Sequence, residues 1–399
     1  MIPPPGPDGP VDTPEAAEPS EQEFAAQSGE PAGTSAEGHA LALAAAAAAT
    51  EGPDEPPPAD EAPADETPAE SPTEARARPP ARPILSLEGR AAPGLYVGGW
   101  LLTVLGLALA LVALLSAGSG NAAGIGIFLG GFAALSLGLI AGAGSQALQR
   151  HADGVAGYAG PSPFLVFAAT IVVANLIYAP LFLVGGWSHL LDPTSPAGAF
   201  VSLLLSTLVY VGLIRLLVVG TGSLSWREMG IRRPDRAALR DFLAGISTAL
   251  PVYVVVIVIA TMLTQLLRAQ PSSPLPSTSS SGGILLNLAS AALVAPFGEE
   301  LFFRGYATTA WWRSAGPGRA IVQGALFFAL VHVLDIGAAS FSEGVREAAI
   351  AFLARLPVAL ALGWLFVRRR GSLFASFGLH SAYNALGILL ALLAGRAGV

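Results

Sequence analysis

From residue 94 onward, the chain alternates long runs of apolar residues with short polar breaks. Most runs contain about 20 residues, the length at which an α-helix crosses the hydrocarbon core of a bilayer. The pattern therefore predicts an all-α, polytopic membrane protein with about nine transmembrane helices. The candidate helices are Leu95–Ala117, Ala122–Leu148, Phe164–Val184, Phe200–Val219, Phe242–Leu267, Ile284–Trp312, Ala320–Leu334, Ala348–Val367 and Leu373–Leu393.

Residues 1–90 have a different pattern, rich in Pro, Ala and Glu. Such a segment buries too little apolar surface to offset the entropy lost on ordering. We therefore predict that residues 1–90 form a disordered acidic tail. Its one apolar island, residues 41–49, follows an acidic stretch and not a basic one, so a cleaved signal peptide is not expected.

The net charge of -7 averages two regions of opposite charge. Residues 1–74 contain 17 of the 28 acidic residues and no arginine, which leaves 11 acids and all 21 arginines for the remainder. A chain that is 53% hydrophobic and 12% charged is not an ordinary soluble domain, and we expect no nucleic-acid partner. The absence of cysteine excludes disulfides, thiolate zinc sites and cysteine nucleophiles.

The arginines predict the orientation of the chain. They lie before the first predicted helix and after the second, fourth, sixth and eighth, whereas each loop on the other side has at most one. The positive-inside rule then puts the N-terminal tail in the cytoplasm and the C-terminus outside. We expect a multi-pass protein of the inner (plasma) membrane, with the lipid bilayer as its main surroundings.

A few polar residues lie inside the predicted helices of the C-terminal half, where ionisable groups are costly and usually face a cavity or a partner. Residues four apart share a helix face, which predicts that Glu300 can pair with Arg304 and that His380 and Asn384 point together. Glu299 and Glu300 are adjacent, so their side chains should point about 100° apart around the helix. The three motifs are Glu299-Glu300-x-x-x-Arg304, Phe328-x-x-x-His332 and His380-x-x-x-Asn384.

These motifs lie at a common depth. Glu299 precedes Arg313 by 14 residues, and His332 follows Arg319 by 13. His380 follows Arg370 by 10 residues. At about 1.5 Å per residue, the polar groups lie roughly 15–21 Å from the arginine-rich loops. We therefore predict that three helices bring their rare polar groups into one layer.

This combination of side chains suits the hydrolysis of an acyl bond. A carboxylate beside an imidazole makes a general base that can activate water. A second imidazole with an amide can stabilise an oxyanion. Three alternatives remain open: a zinc site made of the histidines and glutamates, buried pairs that only fasten helices together, and an ion-coupled transporter.

At these residues the chain resembles the CPBP family of intramembrane proteases, which includes the eukaryotic Ras-converting CaaX endopeptidases. The resemblance covers about residues 284–393 and rests on the motifs EExxxR, FxxxH and HxxxN, in that order. It implies an all-helical fold that cleaves a peptide bond at a site reached from the cytoplasm. It also implies a division into an acidic tail at 1–90, accessory helices with a basic cytoplasmic loop at 91–240, and a protease core at 241–399.

The resemblance further implies roles for single residues. Glu299 with His332 would activate water, and His380 with Asn384 would stabilise the oxyanion. Glu300 and Arg304, with Phe328, would support the site. We expect no cofactor, with zinc as the alternative. We expect the substrate to be a peptide or membrane protein whose maturation requires cleavage of a peptide bond. Many relatives are linked to bacteriocin immunity or scaffolding, so a non-catalytic role is the other hypothesis. The prenylated CaaX substrate is not carried over, because a bacterium would not ordinarily contain it.

Overall fold

The computed structural model describes residues 86–116, 122–188, 192, 194–269, 275–334 and 340–393. Within these ranges the chain is helical, with no β-strand. The predicted disordered tail lies outside the described residues up to residue 85, so its state stays a prediction. The helices are α1 Pro93–Ser116, α2 Ala122–Ala152, α3 Pro163–Ser188, α4 Pro196–Ile214 with a π-helical end Arg215–Val219, α5 Arg236–Leu267, α6 Ser281–Ala315, α7 Pro317–Val331, α8 Phe341–Arg368 and α9 Leu373–Leu393.

Each of the nine predicted segments is helical. Eight of the helices in the described part of the chain are long and apolar enough to cross a membrane, which makes this a polytopic membrane protein. The remaining helix, α7, is shorter than these eight, with 15 residues and a length of about 22 Å. It is therefore shorter than a hydrocarbon core of about 30 Å. It ends three residues before the predicted boundary, so His332 lies at its C-terminus instead of inside it.

The largest boundary difference is at the start of α8, which begins at Phe341 instead of Ala348. Ser340 caps this helix, because its hydroxyl accepts a hydrogen bond from the backbone N–H of Glu343 at 3.3 Å. The added first two turns are partly polar and largely exposed, which is why the apolar pattern did not include them.

Helix α6 contains two π-helical segments, one on each side of the paired glutamates. Its α-helical segment Ala295–Glu300 lies between two π-helical segments, Ser290–Val294 and Leu301–Thr308. In a π-helix the hydrogen bonds reach five residues back. The hydroxyls of Thr308 and Thr309 reach back by the same five residues, to the carbonyls of Phe303 and Arg304 at 2.8 and 3.3 Å.

The core surrounds α6. Phe302, Phe303 and Tyr306 are almost fully buried. Phe167 of α3 and Phe327 of α7 pack on Phe302 and Phe303 with ring centroids 5.4–6.4 Å apart. Phe302 also packs on Tyr306 at 5.4 Å. Three helices are thereby fixed to one another by large aromatic side chains, which bury much apolar area and prefer tilted or edge-on contacts.

Helices α5 and α9 approach closely through two glycines. A Cβ atom on Gly245 would lie 2.2 Å from the carbonyl oxygen of Ala375, and one on Gly378 would lie 2.3 Å from that of Phe242. Any larger residue would push the helices apart. Because Gly378 is two residues from His380, this contact also determines where the histidine lies.

Ion pairs join the basic segment between α4 and α5 to α5 and to the end of α6, and join α5 to the end of α8. Asp241 is bound by Arg232 at 2.6 Å and by Arg369 at 3.5 Å. Arg313 binds Glu228 at 2.7 Å, and this hydrogen bond, with one from the backbone N–H of Ser225, lowers the pKa of Glu228 to about 2. The predicted cytoplasmic loops thus meet on one face of the molecule, although their side of the membrane stays a prediction.

Candidate active site

Three side chains from three helices converge on one point. The Oε2 atom of Glu299, on α6, lies 3.8 Å from Nε2 of His332 at the end of α7. The same oxygen lies 3.8 Å from Nε2 of His380 on α9. The structure therefore brings together the glutamate and both histidines that the sequence placed at one depth.

The tautomer of His332 follows from its other nitrogen. Nδ1 of His332 lies 2.7 Å from the carbonyl oxygen of Phe328, one turn earlier on α7. A carbonyl oxygen can only accept, so Nδ1 carries the hydrogen. In the neutral ring, Nε2 then has a lone pair directed toward Glu299.

His380 is oriented in the same way, but by a carboxylate. Its Nδ1 lies 2.8 Å from Oε1 of Glu300, and that oxygen also accepts a hydrogen bond from Nη1 of Arg304 at 3.0 Å. Because the arginine holds Glu300 as an anion, Nδ1 of His380 is the donor. Its Nε2, like that of His332, then faces Glu299.

The two adjacent glutamates therefore meet opposite edges of one imidazole. The sequence predicted that Glu299 and Glu300 point in different directions. They share His380 but face different nitrogens of its ring, Nε2 for Glu299 and Nδ1 for Glu300. Glu300 is fully buried and bonded to Arg304 and His380. Glu299 and His332 have side chains that are 21% and 24% exposed, so both extend to the edge of the core, although Oε2 of Glu299 itself is buried.

Arg304 and Phe328 hold the inner side of the site. Arg304 is 1% exposed and donates to the carbonyl oxygen of Ala359 on α8 at 3.4 Å. Its guanidinium lies 4.3 Å from the centroid of the Phe328 ring. That ring also packs on His332 and His380, with centroids 4.5 and 5.8 Å apart. Both residues predicted as supports thus contact the histidines or their partners.

Asn384 lies near this cluster but makes a different contact. Its Nδ2 donates to the backbone carbonyl of Ala291, in the first π-helical segment of α6, at 2.7 Å. It therefore fastens α9 to α6 one turn from His380. One amide hydrogen is used in this bond, so a role toward a substrate oxyanion depends on the other.

The side chains are spaced more widely than the ligands of a tetrahedral zinc ion. Two ligands of a tetrahedral zinc, each about 2.1 Å from the metal, lie roughly 3.4 Å apart, whereas Glu299 is 3.8 Å from each histidine nitrogen. Among the described residues, no group of three His, Cys, Asp or Glu side chains is arranged to hold a metal ion. We derive no step through a metal.

Several features of the site have no clear signal in the sequence. The acceptors for Arg304 and Asn384 are backbone carbonyls, of Ala359 and Ala291, which any residue supplies. The π-helical segments give no periodic pattern of their own. The glycines at the contact of α5 and α9 are visible in the sequence, but nothing there distinguishes them from the many other glycines.

Comparison with known proteins agrees with the resemblance carried by the motifs. Residues 281–386 match the sequence profile of the family described as Type II CAAX prenyl endopeptidase Rce1-like. This range contains all three motifs and every residue of the site described above, and the family resemblance is confirmed for it. No curated protein and no solved structure matches the chain.

Proposed function

We propose that this multi-pass membrane protein is an intramembrane endopeptidase that hydrolyses a peptide bond with water activated by Glu299 and His332. The single observation that carries the proposal is the position of Glu299, whose Oε2 lies 3.8 Å from Nε2 of both histidines. A water molecule between these atoms would donate to the carboxylate and be oriented by an imidazole.

In the proposed reaction, the water oxygen attacks the carbonyl carbon of the scissile peptide bond, and Glu299 accepts a proton from that water. The carbonyl oxygen becomes an oxyanion. Glu299 then delivers its proton to the leaving nitrogen as the carbon–nitrogen bond breaks. The products are a carboxylic acid and an amine, so atoms and charges balance without a covalent enzyme intermediate.

His380 would stabilise the oxyanion through Nε2. In that step Nε2 carries a hydrogen while Nδ1 stays bonded to Glu300. Asn384 would add its second amide hydrogen from one turn away. A preorganised donor of this kind is typically worth about 3–4 kcal/mol of transition-state stabilisation.

The substrate that fits this site is a peptide or membrane protein that reaches it from the arginine-rich side. The matched family's description names a CAAX prenyl endopeptidase, whereas the described residues only require a peptide bond near Glu299. We propose a role in peptide or membrane-protein maturation in the inner membrane, with the N-terminal tail in the cytoplasm. Reporter fusions in the tail and at Gly371 test this orientation, and a periplasmic tail would reverse it.

The test of catalysis uses purified protein and membrane-tethered peptides. Glu299→Gln and His332→Ala are expected to abolish cleavage. Glu347→Gln is the matched control for a buried glutamate outside the site. His151→Ala is the control for a histidine whose Nδ1 is also bonded to a carbonyl one turn earlier, at 2.8 Å. Equal cleavage by wild type and both site variants would defeat the proposal.

The two alternatives give different results. A scaffold or immunity protein would keep its cellular phenotype in the Glu299→Gln variant and lose it only when folding is lost. A zinc-dependent protease would lose cleavage with a chelator and regain it with added zinc. We expect a chelator to leave cleavage unchanged, because Glu299 and the two histidines suffice for the proposed steps.

A further inference from the structure

A cavity of about 490 Å³ lies where α1, α2 and the start of α3 meet, outside the region that contains the candidate active site. Its lining changes from polar to apolar with depth. The mouth carries Arg90, Gln146, Gln149 and Arg150. The deeper walls carry Gly99, Thr103, Gly138, Leu139, Gly142 and Leu165.

The depth of the cavity corresponds to one leaflet of a bilayer. Along α2 it extends from Arg150 to Gly138, a separation of 12 residues. At about 1.5 Å per residue this is roughly 18 Å, whereas half of a hydrocarbon core measures about 15 Å. Trp100, an exposed amphipathic side chain on α1, also borders the cavity.

Arg150, at the mouth, has N–H groups that are not used in hydrogen bonds among the described residues. Nη1 of Arg150 donates to the backbone carbonyl of Gly160 at 2.7 Å, and its other N–H groups have no acceptor among the described residues. Arg90 donates from Nε to the carbonyl of Ser86 at 2.6 Å, and its guanidinium lies over the Tyr96 ring. Both guanidiniums are thus positioned at one end of the cavity.

Arg150 keeps its charge available at the mouth. No ion pair within the described part of the chain involves Arg150, whose one hydrogen bond is to a backbone carbonyl. Arg150 therefore presents a guanidinium with unused N–H groups to a ligand.

We infer that this cavity binds an anionic phospholipid of the leaflet on the arginine-rich side. The phosphate binds Arg150 at the mouth, beside Arg90, and an acyl chain lies between α1 and α2. Guanidinium groups bind phosphate oxygens through paired, charge-assisted hydrogen bonds. Basic pockets between transmembrane helices are known sites for anionic headgroups. The inference does not depend on the proposed peptidase.

The glycines of α2 offer a matched pair of variants. A Cβ atom on Gly142 meets no atom within 4 Å, so Gly142→Leu projects into the cavity without a backbone clash. A Cβ atom on Gly144 also meets nothing within 4 Å, but Gly144 does not line the cavity. Gly144→Leu is therefore the control. Arg150→Gln has its control in Arg319→Gln, an exposed arginine on the same side.

The experiment measures lipid binding to the full chain in detergent by native mass spectrometry. The probes are phosphatidylglycerol, phosphatidylcholine with the same acyl chains, and glycerol 1-phosphate. We expect wild type to bind phosphatidylglycerol roughly tenfold more tightly than phosphatidylcholine, and glycerol 1-phosphate much more weakly than either. Arg150→Gln should weaken phosphatidylglycerol binding about tenfold, since one charge-assisted hydrogen bond accounts for that factor. Gly142→Leu should weaken it about as much, because the leucine side chain takes the space of the acyl chain. The two control variants should bind as wild type does.

Three outcomes would overturn the inference. Equal binding of the two lipids would show that the headgroup charge does not matter. Binding of glycerol 1-phosphate as tightly as phosphatidylglycerol would identify a soluble phosphate compound as the ligand. Unchanged lipid binding in folded Gly142→Leu would place the lipid elsewhere. If this variant does not fold, by circular dichroism, the comparison of Arg150→Gln with Arg319→Gln decides.

Discussion

Glu300 has two functions: it is the counter-ion of Arg304 and the hydrogen-bond acceptor that orients His380. Oε1 of Glu300 serves both, since it accepts hydrogen bonds from Arg304 and from His380. Two kinds of substitution can separate these functions. Glu300→Gln keeps a carbonyl oxygen at this position but removes the charge. The buried Arg304 cannot lose its proton, and it keeps only the Ala359 carbonyl and the face of Phe328. Breaking a buried ion pair in this way costs about 3–5 kcal/mol of stability, and the retained dipole places this variant near the lower end.

The double variant Glu300→Met/Arg304→Met removes both charges. Since replacing a buried ion pair by apolar residues of similar volume is often neutral, its stability should lie within about 1 kcal/mol of wild type. However, Nδ1 of His380 then has no acceptor. The ring then loses the bond that orients it, and removing one oriented oxyanion donor lowers rates by roughly 10²–10³-fold. Glu300→Gln keeps the acceptor and should lose only about tenfold, the difference between a charged and a neutral hydrogen bond.

The prediction is therefore a crossed order. Glu300→Gln should be the less stable but more active variant, and the double variant the more stable but less active one. Stability is measured by denaturant unfolding in micelles, and activity by cleavage of a membrane-tethered peptide. The ¹⁵N shifts of His380 report its tautomer independently of activity. If the double variant is as stable and as active as wild type, Glu300 is only the counter-ion of Arg304 and our account of His380 is wrong.

Three further predictions concern other parts of the fold. Gly245→Ala should lower both stability and cleavage by forcing α5 and α9 apart, whereas Gly282→Ala, whose Cβ meets nothing within 4 Å, should change neither in the same unfolding and cleavage assays. Glu228 has a pKa lowered from 4.5 to about 2 by Arg313 and the backbone of Ser225, so its contribution is present above pH 4.5 and is lost as the pH falls toward 2. Because the pair is exposed, this amounts to under about 1 kcal/mol, and Glu228→Gln should flatten the unfolding free energy across that window. Glu299→Gln should leave the unfolding midpoint unchanged or higher, since Oε2 of this carboxylate is buried without a hydrogen bond among the described residues; a clear loss of stability would show that Glu299 is structural.

The amino-acid sequence predicted the helices and the site to different degrees. Apolar runs of about 20 residues located the helices, because burial in lipid depends on composition alone. Spacing of four residues predicted the pair of Glu300 with Arg304, which forms. It did not predict the Asn384 contact, because the acceptor is a backbone carbonyl. It also missed the end of α7, because residues 332–334 continue the apolar pattern although the helix stops at Val331.

The paired glutamates are alike in sequence but differ in their surroundings, and this difference determines what each can do. Glu300 is held as an anion by Arg304 and is fully buried, so it serves best as a fixed acceptor for His380. Glu299 has no arginine bonded to it and faces two imidazole nitrogens. A carboxylate in that position can exchange a proton, whereas a carboxylate paired with a guanidinium resists protonation. The adjacent positions on α6 thus divide the work between an orienting carboxylate and a reacting one, and exchanging their environments would remove both functions.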